Sequence, residues 1–347
     1  MHDLIIAGGG PAGLSAAIMA AQRGLSAVVV EPRPGVIDKA CGEGLMPGAI
    51  TELQALGVEP AVSHPFVGIR YINRGRCAEG RFPQGPGRGV RRTTLHEALT
   101  ARADALGIQR IKGRVSDIRQ DDDKVEAGGL TARWLLAADG LYSPTRSALG
   151  LERPAKRRAR LGLRRHYAIA PWSPFVEVYW SEDAEAYVTP VGPQLVGVAV
   201  LFNGDPLPEG RGSRDRYEQL LARFPELVAR LSQPCTAVRG SGPFERQLSS
   251  RTAGRVLLIG DAAGYLDPIT GEGIRLGLAS ASVALDCIQR GCPEQYDRQW
   301  WLHTRRYWWL TLGLLWMRDR PPLRRVMVPF LRTVPGAFSR IVGVLAG

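Results

Sequence analysis

The sequence predicts an α/β protein in which a parallel-sheet unit is interleaved with an antiparallel β-sheet unit and followed by an α-helical C-terminal segment. Three observations predict it. The chain opens on a strand, glycine turn, helix, strand pattern. It returns near residue 256 to a buried apolar strand that ends in Gly260-Asp261. Between these it carries short apolar bursts broken by Gly and Pro. Its 347 residues suffice for two domains or one with a large insertion, and 45% hydrophobic with 22% charged residues is an ordinary globular balance.

The opening stretch "DLIIAGGGPAGLSAAIMAAQRGLSAVVVEP" gives the first unit its identity. An apolar run, Leu4 to Ala7, leads into Gly8, Gly10 and Gly13 in G-x-G-x-x-G spacing, with Pro11 and Ala12 completing the turn. A small-residue helix runs to Gln22, and a second apolar strand ends in Glu31-Pro32. Gly8 permits the tight turn, Gly10 lets a pyrophosphate approach the backbone, and Gly13 lets helix and strand pack closely. Unpaired N–H groups at the helix start favour phosphate, and an acid about twenty residues on can accept from ribose hydroxyls. This is a Rossmann-like dinucleotide unit.

The remaining elements follow in order. "RRTTLHEALTARADALG" has helical apolar spacing at Leu95, Leu99 and Ala103. Phe66 to Phe82 and Phe175 to Phe202 alternate or run in bursts and read as antiparallel strands and hairpins. In "RVLLIGDAAGYLDPITGEGIRLGLASASVALDCI" a buried strand delivers Asp261 to the sheet's C-terminal edge, and a helix begins near Gly273. The expected division is 1–65, 90–160 and 245–295 for the dinucleotide domain, 66–89 and 161–244 for a substrate-binding sheet domain, and 296–347 for the helical segment.

Composition narrows the function. The five cysteines, at 41, 77, 235, 287 and 292, form no C-x-x-C pair and leave an odd one over, which points to a reduced, cytoplasmic setting. "MHDLIIAGGG" lacks the basic start and long apolar stretch of an export signal. The five histidines, at 2, 64, 96, 166 and 303, have no metal-ligand spacing, so no metal is expected, and His96 reads as a solvent-side or capping residue. Net charge is +12, and residues 297–347 carry nine arginines against Asp297 and Asp319. With no recognised nucleic-acid module, a basic surface is expected to attract cofactor phosphates rather than nucleic acid.

The last fifty or so residues also hold five of the eight tryptophans. The longest uncharged apolar stretch there, Tyr307 to Met317, is shorter than the ~20 residues of a membrane span. Two readings stay open: a peripheral membrane contact, or a cap over the substrate domain.

Taken together, "GGGPAG" with Glu31, "RRTTLHEAL", "AADGLYSPTR" and "GDAAGYLDPITGEGI" resemble, in order and spacing, the flavoprotein superfamily of aromatic hydroxylases and geranylgeranyl reductases. The resemblance implies an aromatic-hydroxylase-like FAD-binding fold of the GR2 type and the cofactors FAD and NAD(P)H. It implies that Gly8, Gly10, Pro11, Ala12 and Gly13 hold the pyrophosphate and that Glu31, followed by Pro32, holds the ribose. Arg92 would lie by the diphosphate and ribityl chain, Asp139 and Gly140 would serve both cofactors, and Asp261 would bind ribityl hydroxyls. Val115 and Gly271 are further candidate cofactor contacts, and Gly273 and Ile274 would lie beside the isoalloxazine.

The resemblance also accounts for the lone cysteine of "DKACGEGLMPG": Cys41-Gly42-x-Gly44 looks like the flavin-side loop of the reductase branch. Cys41, Tyr187 and Pro268 are the candidates for lining the active site, with Cys41 read as a small lining group without chemistry of its own. "DAAG" and "TGEG" lean toward the reductases, whereas "AYVTPVG" keeps only Tyr187 and Pro190 of their Tyr-x-Trp-x-Phe-Pro strand. The Trp-x-Trp-x-Ile-Pro motif of flavin-dependent halogenases is absent. The leading reading is an NAD(P)H-dependent monooxygenase of a hydrophobic aromatic or polyketide-like secondary metabolite. Its alternatives are a geranylgeranyl-reductase-like reductase of an alkene or isoprenoid, and a flavin-binding protein without turnover.

Overall fold

A computed structural model describes residues 1–205 and 211–347; positions 206–210 of the expected substrate domain lie outside the described residues. Five parallel strands form the heart of the larger sheet, in the order Val256–Leu258, Leu130–Ala137, His2–Ala7, Ala27–Glu31 and Gln109–Lys112. Their apolar runs are continuous because both faces are covered: Leu4, Ile5, Ile6, Val28, Leu135 and Leu257 are all buried. The helices Pro11–Gln22, Arg92–Ala105 and Gly273–Gln289 pack on one another and on this core. As in other open parallel sheets, the strands' C-terminal ends converge on one edge, which puts Gly8, Glu31, Ala138-Asp139 and Gly260-Asp261 together.

The second sheet runs in the order Arg239–Ser241, Arg160–Tyr167, Leu195–Asn203, Ala184–Gly192, Val176–Trp180, Gly68–Asn73 and Arg76–Arg81. The hairpin reading of residues 175–202 matches its centre. One seam departs from an all-antiparallel expectation, since Val176–Trp180 pairs in parallel with Gly68–Asn73. The chain passes through the larger sheet between these two strands, and such a crossover lets it re-enter in the same direction.

The C-terminal segment is three helices, Tyr296–Arg318, Pro321–Thr333 and Pro335–Leu345. Tyr296 and Trp300 belong to the first core, and the Tyr296 hydroxyl donates to Leu258 O at 2.7 Å. Phe338 and Val342 cover the edge strand Arg76–Arg81, and the Phe338 ring lies 5.0 Å from that of Tyr71. This is one way a sheet edge is protected from further pairing. Trp309 and Phe330 nonetheless remain 69% and 62% exposed. Among the described residues, no helix is long and apolar enough to cross a membrane.

Candidate active site

The glycine turn is dictated by contact distances. Gly8 has φ +106°, and a Cβ built on it would lie 2.5 Å from Ala138 O. A Cβ on Gly13 would lie 1.9 Å from Gly8 O, so helix and strand could not approach as they do. Gly10 caps the helix Pro11–Gln22 without any side-chain hydrogen bond, leaving the helix start to a ligand. The Arg92 guanidinium reaches over this turn, with Nη2 3.8 Å from where a Gly10 Cβ would stand, and its buried Nε has no protein partner.

Glu31 accepts the Gly9 N–H at 2.8 Å and the Arg33 Nε at 2.7 Å. Burial is the largest influence on its carboxyl and pushes upward, but the hydrogen bonds from Arg33 and Gly9 together hold it below the usual range. Pro32 and Val115 are both half-buried, and Val115 packs against the first core. His96 is not solvent-side. It is 5% exposed, its Nε2 lies 3.0 Å from Gly9 O, and it therefore buttresses the glycine turn from behind.

Opposite this turn, Asp139 Oδ2 accepts the Thr145 N–H at 3.0 Å, while Oδ1 is buried without a partner. Gly140 has φ +85°, and a Cβ there would come within 3.3 Å of Lys39 Nζ. Burial raises the Asp261 carboxyl pKa against the pull of Arg92, Lys39 and Arg146. Lys39 has the complementary displacement, its ammonium pKa lowered by burial and by Arg33 and Arg92. Gly271 and Gly273 bracket the start of the helix Gly273–Gln289: a Cβ on Gly271 would lie 3.1 Å from Met46 Cε, and one on Gly273 would lie 3.3 Å from the Tyr265 hydroxyl. Ile274 packs on the first core.

An uncapped helix start, an arginine with an orphaned nitrogen, an acid at the second strand and a desolvated aspartate across the cleft are the donor and acceptor set that a dinucleotide requires.

The cysteine loop is held by buried charge. Cys41 Sγ accepts the Glu43 N–H at 3.4 Å, and burial pushes the thiol up, with Arg92 opposing most. Glu43 sits at φ +59°, a conformation costing a non-glycine residue about 1 kcal/mol or more. Its carboxylate secures it, accepting the Arg92 N–H at 2.9 Å and approaching His166 Nε2 at 2.6 Å. Arg164 Nη1 lies 3.1 Å from His166 Nδ1. An arginine can only donate, so Nδ1 accepts and the Nε2–H points to Glu43. Arg164 also reaches Asp38 and Lys39 O, and the Thr189 hydroxyl donates to Gly42 O at 2.8 Å. Gly42 and Gly44 thus lie in a loop clamped to the second sheet.

That sheet presents a second buried network. Arg160 Nε donates to Asp267 Oδ2 at 2.6 Å and Nη2 to Glu185 Oε2 at 2.9 Å, and Arg318 Nε stands 3.8 Å from Glu185 Oε1. Burial pushes the Glu185 carboxyl up to about 7, with Arg160 the main opposing influence. Tyr187, on the same strand face two residues on, has its hydroxyl pKa held well above normal by burial and by Glu185. Arg160 Nη1, Tyr187 OH and Trp180 Nε1 are buried with no protein partner. Tyr187 packs beside Leu141, Leu201, Phe244 and Tyr265, and the Tyr265 hydroxyl is raised by burial and influenced by Asp261 and Cys41. Pro268 opens the short turn Pro268–Thr270, anchored by Asp267 Oδ1 accepting the Ile269 N–H at 3.0 Å.

Lys39, Glu43 and Asp267 lie unassigned inside motifs already quoted, and Arg160, Arg164, His166 and Glu185 escape motif reading altogether. The available signal was charge inside apolar strands, as in "RLGLRRHY" and "AEAYVTPVG".

Residues 1–285 match the family described as FAD binding domain. The chain is 29% identical over 332 residues to a menaquinone reductase of Mycolicibacterium smegmatis, spanning 86% of this chain and 79% of that protein. It is 26% identical over 325 residues to the 3-amino-4-hydroxybenzoate 2-monooxygenase of Streptomyces cremeus, spanning 86% of this chain and 82% of that protein. The crystal structure of a flavoprotein/dehydrogenase from Cytophaga hutchinsonii has a TM-score of 0.84 at 18% identity, covering 99% of this chain and 92% of that one, a likeness of fold. With the match running through both halves of the dinucleotide cleft, the chain belongs to the FAD binding domain family and is an FAD-dependent oxidoreductase.

Proposed function

We propose that this oxidoreductase takes a hydride from NAD(P)H and delivers it, together with a proton, to an unsaturated or quinone-type acceptor in a small hydrophobic molecule. The observation that carries the reading is the Tyr187 hydroxyl, buried, held in its protonated form and without a protein partner, on the sheet face that carries Glu185 and Arg160. Adding hydride to a carbon–carbon double bond or quinone consumes a proton, and this face has one to give. The likeness to menaquinone reductase over 86% of the chain points the same way.

FAD, when bound, carries the hydride between donor and acceptor. The residues proposed to hold it are Gly8, Gly10, Pro11, Ala12, Gly13 and Arg92 at the pyrophosphate and Glu31 at the ribose. Asp139, Gly140 and Asp261 would hold it from the far side of the cleft, with Gly271, Gly273 and Ile274 at the second helix start, whose dipole favours negative charge. Lys39 and Arg92 offset phosphate charge. The neutral Cys41 thiol supplies a small apolar surface, and Tyr187 donates to an acceptor oxygen or carbon, with Glu185 beside it as a proton source near neutral pH.

Monooxygenation of an aromatic or polyketide-like metabolite, placed first by the sequence, is the second reading. The 26% identity to 3-amino-4-hydroxybenzoate 2-monooxygenase favours it, as does the loss of two aromatic positions around Thr189. Oxygen dependence separates the two. With strict exclusion of O2 and a prenylated naphthoquinone as acceptor, the proposed reductase continues to oxidise NAD(P)H, and a product heavier by two hydrogens accumulates. Turnover only with O2, and a product heavier by one oxygen, would establish the monooxygenase.

A further inference from the structure

A concave site lies apart from the glycine cleft. The helix Tyr296–Arg318, the loop at Lys156–Arg158 and the segment 245–251 enclose a groove of about 730 Å3, lined by none of Gly8, Glu31, Cys41, Arg92 or Asp261. That volume lies in the range of roughly 300–1,000 Å3 typical of small-molecule sites. Its helix side is Trp301, Trp308, Leu312 and Trp316, its loop side is Lys156, Arg157, Arg158 and Arg246, and Leu266 also lines it.

Charge in the groove is unbalanced. Arg251 is paired with Asp297 at 3.0 Å. Among the described residues, Lys156, Arg157, Arg158, Arg246 and Arg320 have no carboxylate within 4.0 Å. The two acids lining the groove compensate only in part: Asp319 is paired with Arg318, whereas Glu245, bonded to the neutral Arg157 N–H and the Gln247 amide, keeps its one negative charge. Five cations against the one charge of Glu245 leave the groove positive, which raises the local concentration of anions. The opposite side asks for the reverse chemistry. Trp301 and Trp316 remain 43% and 52% exposed, an apolar surface that gains from being covered.

We propose that this groove binds an anionic amphiphile, with a phosphate or carboxylate head on Lys156, Arg157, Arg158 and Arg320 and an apolar chain along Trp301, Trp308 and Trp316. Arginine suits such a head because its fork donates two parallel hydrogen bonds to one oxyanion. Tryptophan offers the chain a wide apolar wall at little conformational cost. The occupant is a single dissolved molecule, since a groove of this volume holds one small ligand. None of its lining residues is among those proposed to hold FAD or to supply the proton, although Leu266, Trp308 and Leu312 belong to the apolar cluster on which Tyr187 also packs.

The test uses the full FAD-loaded chain at low salt, with decyl phosphate as probe, followed by tryptophan fluorescence and calorimetry. Decyl phosphate is expected to bind saturably at one site, with decanol and inorganic phosphate each weaker by roughly tenfold or more. Raising salt should weaken decyl phosphate and leave decanol unchanged. Arg157→Glu with Arg158→Glu should weaken decyl phosphate by at least about tenfold at unchanged flavin absorbance. Trp316→Ala, at a half-exposed position, should reduce binding of both decyl compounds and keeps the test open if the charge-reversed protein does not fold.

Equal affinity for decanol and decyl phosphate would overturn the proposal, as would charge reversal without effect. Capture by phosphatidylglycerol vesicles but not phosphatidylcholine vesicles, with no saturable binding of dissolved decyl phosphate, would overturn it in favour of a bilayer surface. Failure of the flavin reading is a separate observation, a colourless protein.

Discussion

Gly8, Gly10 and Gly13 come from one short stretch of chain and act mainly through backbone, by allowing close approach and leaving a helix start uncapped. Arg160, Glu185, Asp267 and Arg318 come from four distant segments and act through side-chain charge removed from water. The first kind of site is steric: it tolerates changes of charge nearby but not an added carbon. The second is electrostatic: it tolerates small changes of shape but not the loss of one charge, and it responds to pH.

The largest effect should come from the steric side. Gly13→Val sets branched carbons where a single Cβ already meets Gly8 O at 1.9 Å. Overpacking of this kind typically costs about 1–3 kcal/mol, and a rigid backbone neighbour puts this case at or beyond the upper end. The expected outcome is protein without flavin absorbance, recovered largely in the insoluble fraction. A soluble yellow variant would break the distinction.

Next is Arg160→Met, which leaves Asp267 and Glu185 buried without their shared cation. Removing one partner from a buried ion pair costs about 3–5 kcal/mol, measurable by urea unfolding. Combining it with Glu185→Gln and Asp267→Asn should recover a substantial part of that loss. No recovery would show that the arginine acts by packing.

The pH response sharpens the same contrast. Glu185 titrates at about 7 when folded, above its ordinary value of 4.5, so the folded state binds the proton more tightly. Its contribution to stability is therefore complete below about pH 4.5 and is lost as pH rises through about 7, on the order of 3 kcal/mol. Glu185→Gln should flatten the stability profile across that window, while substitutions at the glycine turn should lower it uniformly.

The smallest effect belongs to Cys41, whose thiol accepts from Glu43 and feels Arg92. Its thiol is held neutral by burial, and serine keeps the size and the acceptor for the Glu43 N–H. Cys41→Ser should retain flavin and at least about a tenth of the turnover, a loss under about 1.4 kcal/mol. A loss beyond about a hundredfold would give the thiol a chemical role.

The same contrast explains what the sequence revealed. The dinucleotide turn was legible because its determinants are local and few residue types satisfy them, and Asp261 was legible from the strand that delivers it. The helix at Leu95, Leu99 and Ala103 followed from apolar spacing, but the role of His96 did not, because its partner Gly9 O lies far along the chain. The clamp of Glu43, Arg164 and His166 was hidden for the same reason: the Glu43–His166 contact spans 123 positions. The parallel seam between Val176–Trp180 and Gly68–Asn73 depends on the crossover between them, which alternation of apolar residues does not encode. The tail gave two readings because it has two faces, with Tyr296 and Trp300 in the core and Trp309 and Phe330 outside.

The central claim is that reduction consumes a solvent-exchangeable proton from the Tyr187 face. The most direct measurement is the isotopic composition of the product formed anaerobically in D2O with unlabelled NAD(P)H. The account predicts that a carbon–carbon double bond reduced under these conditions gains at least one deuterium on carbon from solvent, and that Tyr187→Phe slows product formation without releasing flavin. A product carrying an oxygen atom derived from O2, formed only in its presence, would contradict it.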